Sequence, residues 1–292
     1  MNSRQQWILL AVTALVCAGG CGLEPGGGAV VVPSVTVLPA ELAGGATADV
    51  TETSASSSGS SSSGGPGTFA GRVVLQSAAP QLAPLFAAGA DIKDKEVCAA
   101  APVPNEKLIV AADGKGVANV FIYLQKAPSG SPPLVVPDEP LIFDQKNCRF
   151  LPHCLIIPTG QTVKVLSDDP IAHNTHSYPA KNQAVNSGVS PHDREGKLEI
   201  VYRRAEAVPF QVKCDFHTWM LAYHLPLDHS FAALTDENGN FEIPNLPAGT
   251  HDFTVWHEAA KGNFIERKLK VTVNAGETTQ VEIPYTADKL DL

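Results

Sequence analysis

The stretch Phe210-Gln211-Val212-Lys213-Cys214-Asp215-Phe216-His217-Thr218-Trp219-Met220 decides how this chain is read. Phe210 to Cys214 has the short, apolar-rich pattern of a β-strand. Beyond it, a thiolate donor, an imidazole and a thioether follow one another at three-residue spacing on what reads as a loop. Buried Cys and Met usually serve only as core. The chain, however, has two Met, one of them the initiator. Random placement of the other at this spacing has odds on the order of one in a few hundred.

Those residue types point to a particular metal chemistry. Thiolate and thioether favour Cu(I), imidazole also accommodates Cu(II), and a trigonal Cys/His/His set with a weak axial Met suits blue copper. A compromise geometry changes little between the two oxidation states, which lowers the reorganisation cost of moving an electron. The outstanding ligand is expected from a distant strand, and Asp168-Asp169-Pro170-Ile171-Ala172-His173-Asn174-Thr175-His176 offers it. His173 is the first choice, with the Asn174 backbone N–H placed to hydrogen-bond the Cys214 sulfur and tune the metal. His176 ranks second, because three residues along a strand it faces the other way. Zinc would accept Cys and two His but leave Met220 idle, and haem attachment lacks a Cys-x-x-Cys-His motif.

Elsewhere in the chain, nearly every apolar run is short, β-branched or aromatic, and bounded by Gly, Pro, Asn or Asp. Gly71–Leu75, Val117–Leu124, Cys154–Ile157, Thr162–Leu166 and Leu198–Tyr202 all read as strands, whose spacing predicts a sandwich. A helix around Leu82–Ala90 is weakened by Pro84 and Gly89. After Leu227 come an Asn238-Gly239 turn, a second turn at Asn245–Thr250, and strands at His251–Trp256, Lys268–Val273 and Thr279–Ile283. With 24 Gly and 23 Pro, long helices are not expected.

Cys214-x-x-His217-x-x-Met220, preceded by His173-Asn174-Thr175-His176, resembles the copper site of the cupredoxins, especially the amicyanin and plastocyanin types. Cys148-Arg149-Phe150-Leu151-Pro152-His153 and Pro158–Val163 resemble early strands of that fold, so the likeness runs from about Asp144 to Leu227. The resemblance implies a Greek-key sandwich binding one type 1 copper through His173, Cys214, His217 and Met220. Phe216 stands where the family commonly has Pro, and Ser167 where it has Asn; neither is a ligand, so these departures bear on the potential. Thr235-Asp236-Glu237-Asn238-Gly239-Asn240-Phe241-Glu242-Ile243, continuing through Asn245-Leu246-Pro247-Ala248-Gly249-Thr250, resembles the carboxypeptidase-regulatory-like β-sandwich module, a mainly structural family. The fold class expected is thus all-β, a cupredoxin sandwich followed by a small C-terminal β-sandwich module.

The N-terminus has Arg4, an apolar run from Trp7 to Ala18 and small residues before Cys21. That run is shorter than the roughly 20 residues needed to span a bilayer but fits an export signal. Ala18-Gly19-Gly20-Cys21 resembles a bacterial lipoprotein signal, which would lipidate Cys21 and anchor the protein to a membrane in the periplasm or at the cell surface. A Gly- and Ser-rich stretch follows, too poor in apolar surface to offset its ordering entropy. The organisation expected is a signal peptide at 1–20, a disordered tether at 21–68, a copper domain with an N-terminal extension at 69–230, and the β-sandwich module at 231–292, with two options open for residues 69–126: completing the copper domain or pairing with the C-terminal module.

Of the six Cys, Cys17 and Cys21 belong to the signal region and Cys214 to the metal. In an oxidising compartment Cys98 is expected to pair with Cys148, leaving Cys154 a buried thiol; a Cys148–Cys154 bridge is the alternative. His224 alternates with Leu225 and Leu227 and is expected to face solvent or the domain interface. His229, His251 and His257 are expected to be interface residues, with a second copper site the less favoured reading.

Twenty-one Lys plus Arg against 30 Asp plus Glu, a net charge of −9, argue against nucleic-acid binding. The cupredoxin resemblance implies a one-electron carrier rather than an enzyme, exchanging electrons with redox proteins such as a cytochrome or an oxidoreductase. His217 would lie nearest the surface, with Trp219 and Leu221 forming an apolar docking patch. A copper-dependent oxidoreductase and a copper-binding or structural cell-surface protein are the alternatives.

Overall fold

The computed structural model describes residues 65–292. The expected signal peptide, the lipidation candidate Cys21 and nearly all of the 21–68 tether lie outside the described residues. Within them the chain is all-β, with sixteen strands in four sheets and one four-residue α-helix. No helix there is long and apolar enough to cross a membrane.

Strand β1 (Gly67–Leu75) leads into a long irregular segment that carries α1 (Lys95–Cys98), and then into β2 (Phe121–Leu124). The helix expected around Leu82–Ala90 does not form. Pro84 lacks an amide donor, and Gly89 sits at φ +73, where a right-handed helix cannot continue. The expected strand Val117–Leu124 shortens to β2 because Asn119, at φ +61, interrupts the extended run.

Nine strands follow: β3 (Leu141–Lys146), β4 (Arg149–Leu151), β5 (Cys154–Pro158), β6 (Thr162–Val165), β7 (His173–Ser177), β8 (Asn186–Val189), β9 (Leu198–Val201), β10 (Phe210–Lys213) and β11 (Leu221–Leu227). They form two sheets, ordered β4-β3-β6-β9 and β5-β11-β10-β7-β8. Phe143, Phe150, Val163, Val165 and Ile200 from the first pack against Ile157, Val212 and Ala222 from the second. Each such side chain contributes roughly 1.5–3 kcal/mol by leaving water. The β3–β4 hairpin turns on Asn147-Cys148, at φ +53 and +54, the paired left-handed backbone that a two-residue type I′ turn requires.

The remaining strands are β12 (Ala232–Leu234), β13 (Asn240–Leu246), β14 (Gly249–Trp256), β15 (Phe264–Val273) and β16 (Thr278–Tyr285). Their sheets are β13-β1-β16 and β12-β2-β14-β15. Strand β1 lies antiparallel to β13 and parallel to β16, and β2 is held between β12 and β14. This corrects the expected division into 69–230 and 231–292. The early strands belong to the C-terminal sandwich, because β13 and β16 meet only through β1 and because Phe69, Val73, Ile122 and Leu124 fill its core beside Phe253 and Val255. Strands β3 to β11 are therefore an insertion between β2 and β12.

Turn chemistry sets the registers. At Asn238-Gly239, the glycine takes φ +82 while the Asp236 Oδ1 accepts the Asn238 and Asn240 amides, each at 2.8 Å. In β13, Asn245 at φ +59 makes a bulge that lets Ile243 and Leu246 both face the core.

The two sandwiches share an apolar seam. Ile122 and Leu124 of β2 point into one core, while Phe121 and Tyr123 point the other way, toward Cys154, Tyr223, Leu225 and Leu227 of the inserted body. Strand β11 is likewise buried on both faces. His224 is therefore not at solvent or at the interface as its alternation suggested; it lies fully buried in the inserted sandwich, 4.5 Å from the Phe143 ring centroid, and the leucines face the seam. A strand covered on both sides offers no polar face from which to assign direction.

Candidate metal centre

Strand β10 ends at Lys213 and delivers Cys214 to the edge of the sandwich. The loop that follows is closed by the Met220 amide donating to the His217 carbonyl at 2.8 Å and the Cys214 amide donating to the Met220 carbonyl at 3.3 Å. Antiparallel pairing of β7 with β10 places His173, the first residue of β7, at the same end. Cys214 Sγ lies 3.9 Å from His173 Nδ1 and 3.7 Å from His217 Nδ1, and the two Nδ1 atoms are 3.0 Å apart. All three residues are buried. Such a triangle accommodates one ion at about 2.0–2.3 Å from each donor.

Hydrogen bonds on the far sides of the rings fix the tautomers. His173 Nε2 donates to Asp169 Oδ2 at 2.8 Å, and His217 Nε2 donates to Asp94 Oδ2, also at 2.8 Å. An ionised carboxylate only accepts, so each ring carries its proton on Nε2 and presents a bare Nδ1 lone pair. Two lone pairs and a sulfur thus converge on one buried point, an arrangement that a cation stabilises and that bare imidazoles would avoid. A metal matches the donor set, and the thiolate makes a soft or borderline metal the fitting one.

Asp169 also accepts the amides of Asn147 and Cys148 at 2.7 and 2.9 Å, so the hairpin turn orients the carboxylate that orients His173. Burial opposes its ionisation, but the bonds from His173 and the two amides outweigh this and lower its pKa.

Asn174 joins the two ligand-bearing segments. Its amide donates to Cys214 Sγ at 3.5 Å, while its side chain contacts Asp215 at both ends. Met220 is 2% exposed and packs in the same buried cluster as Cys214. His176 pairs in register with Lys213, bonds Asp215 and Tyr178, and stays outside the triangle. Cys98 and Cys148 form a disulfide, and Cys154 is a buried free thiol.

The expectation that His217 lies nearest the surface among the ligands is corrected. It is 0% exposed, covered by Asp94 from the irregular segment after β1. Trp219 is half-buried, its ring 5.3 Å from that of His217 on one side and 5.3 Å from Phe86 of the same segment on the other. Trp219 and Leu221 line a cavity of about 600 Å³ at the seam, together with Phe86, Lys107, His153 and Glu258. Sequence reading did not assign Asp94 or Asp169. Asp169 lies four residues before His173, whereas nothing local marks Asp94, 123 residues from its partner.

The other histidines do not gather. His229 stacks on Phe231, His251 donates to the Pro247 carbonyl, and His257 lies buried beside Tyr285. Among the described residues, the other set of three metal-ligating side chains is Cys148, Asp169 and His173, which overlaps the same centre and whose cysteine is in the disulfide.

Comparison with known proteins finds several partial likenesses. The family model for domain II of polysaccharide lyase family 4 matches residues 214–281, from the metal loop into β16. Among solved structures, the chain is similar to a purple cupredoxin from Nitrosopumilus maritimus, at 22% identity over 30% of this chain and 99% of that one, with a TM-score of 0.25. It is also similar to amicyanin from Paracoccus versutus, at 14% identity over 38% and 99%, TM-score 0.26. A Cu-containing nitrite reductase from Thermus scotoductus SA-01 matches at 16% identity over 36% of this chain, TM-score 0.28. The chain spans 27% of that enzyme's length. Nothing among the curated proteins matches.

Proposed function

We propose that this protein is an exported, membrane-tethered one-electron carrier with a single type 1 copper held by His173, Cys214, His217 and Met220. The observation that supports it is the convergence of His173 Nδ1, His217 Nδ1 and the Cys214 sulfur on one buried point, with a carboxylate behind the Nε2 of each ring. Copper bound there would supply a one-electron Cu(II)/Cu(I) couple. The residues of the chain do the rest: Asp169 and Asp94 hold the two rings, Asn174 ties β7 to the metal loop and donates to the sulfur, and the core excludes water. Pre-set ligands need little rearrangement when charge arrives or leaves, which suits a carrier.

The tether would leave the folded part free to meet redox partners such as a cytochrome, and lipidation at Cys21 would keep it at a membrane. In this reading the second sandwich is a carboxypeptidase-regulatory-like structural module, a view that rests on its turn motif. The cavity beside Trp219 favours one alternative, a copper-dependent oxidoreductase acting on a small molecule.

The deciding experiment is an optical and EPR spectrum after copper loading. An intense thiolate-to-copper band, lost in Cys214→Ser, is the expected result. Its absence in the parent protein would overturn the reading, and steady turnover of nitrite or oxygen would replace the carrier with the enzyme.

A further inference from the structure

The segment 85–103 is a closed loop laid over the metal centre. Its base is sealed by backbone bonds between Leu85 and Val103 at 2.8 Å and between Val103 and Phe86 at 2.9 Å, with a further rung from Gly89 to Ala99 at 2.8 Å. The Cys98–Cys148 disulfide ties it to the β3–β4 turn, and Phe86 packs edge-on against Trp219. At its tip Asp94 adopts left-handed backbone, φ 53 and ψ 38, while its carbonyl accepts the Val97 and Cys98 amides that begin α1. Left-handed backbone is unfavourable for a residue with a Cβ, least so for Asp and Asn, and it persists where surrounding contacts impose it. Here it carries the carboxylate to His217 Nε2.

We propose that Asp94 is a positioning residue for the metal ligand His217, held over the site by the disulfide-tethered loop, and that it biases bound copper toward Cu(II). The inference rests on the copper reading above. A carboxylate accepting the Nε2–H draws positive charge onto the far side of the ring and makes Nδ1 a stronger donor, which favours the more highly charged ion. His217 is fully buried, so the interaction is poorly screened even though Asp94 itself is 34% exposed on its side chain. Lys93 Nζ shares the same oxygen at 2.8 Å and offsets part of the effect. Both ligand imidazoles are thus backed by carboxylates, and both carboxylates depend on the turn at Cys148: Asp169 through its amide, Asp94 through its disulfide. The loop also closes the ring edge through which an exposed ligand would meet a partner, leaving Trp219 and its cavity as the open approach.

The test is the reduction potential of the copper-loaded full-length protein at fixed pH and ionic strength. Asp94→Asn keeps the size of the side chain and its cover over His217 but removes the charge. The expected result is an upward shift equal to about a tenfold change in the Cu(II)/Cu(I) partition, about 59 mV for a one-electron couple. Lys93→Gln removes the competing cation and shifts the potential downward. An Asp94→Asn protein that takes up one copper with the parent's absorption band yet keeps the parent's potential overturns the proposal. If that variant does not fold, an unmoved potential in Lys93→Gln overturns it instead. A parent protein lacking the thiolate-to-copper band removes the copper reading and this inference together.

Discussion

Asn174 and Asp215 clasp each other across the metal centre: the Asp215 amide donates to Asn174 Oδ1 at 2.6 Å, and Asn174 Nδ2 donates back to Asp215 Oδ2 at 2.9 Å. The contact bridges the strand that supplies His173 and the loop that supplies Cys214 and His217. Replacing Asn174 by Ala removes the clasp while keeping the backbone amide that faces the sulfur. Copper affinity is expected to fall about 10- to 100-fold, as for other residues that orient metal ligands. Competition with a chelator of known affinity measures it; an unchanged affinity would show that the backbone alone aligns the ligands.

At the seam, His153 and Glu258 form a buried ion pair between the two sandwiches. Burial disfavours charge on His153, but Glu258 outweighs it and the imidazole's pKa is raised above 6.5. A raised folded value contributes stability that is fully present below about pH 6.5 and is lost as pH rises through the folded value. Glu258→Ala should cost about 3–5 kcal/mol at pH 6 by stranding the other charge. Denaturant melts at pH 6 and pH 9 check this, with the penalty shrinking at the higher pH.

His224 and His257 act in the opposite sense. Burial lowers both to about 3. Each is neutral in the fold and takes a proton on unfolding below about pH 6.5, so stability declines as pH falls from there toward 3. The slope from each is about 1.4 kcal/mol per pH unit. His224→Phe should remove one such contribution from the acid limb of a stability–pH curve, and an unaltered limb would contradict the assignment.

Residues 231–292 expressed alone should not fold. They lack β1, which joins β13 to β16, and β2, which joins β12 to β14. Phe69, Val73, Leu75, Ile122 and Leu124 leave the core with them. At roughly 1.5–3 kcal/mol each, that loss of about 8–15 kcal/mol equals the whole stability of an ordinary domain. Circular dichroism should show a coil without a thermal transition, whereas cooperative melting would restore the simple boundary at 230/231.

Much of the architecture is legible in short stretches. Strand periodicity, the Asn238-Gly239 turn and the spacing of Cys214, His217 and Met220 depend on neighbours in the chain, because pleat, turn and loop geometry act over two to six residues. The local pattern failed where burial was two-sided. His224 and β11 carry no polar face, so alternation named two faces without saying which was which.

The sequence by itself therefore determined the all-β class and named His173, Cys214 and His217, the residues that the fold gathers. Tertiary structure alone decided that β1 and β2 close the C-terminal sandwich, that His217 is covered rather than exposed, and that Asp94 reaches it across 123 residues. Such pairings follow from which apolar faces can be buried together once the whole chain is collapsed, and that choice is set by global packing rather than by any local run of residues.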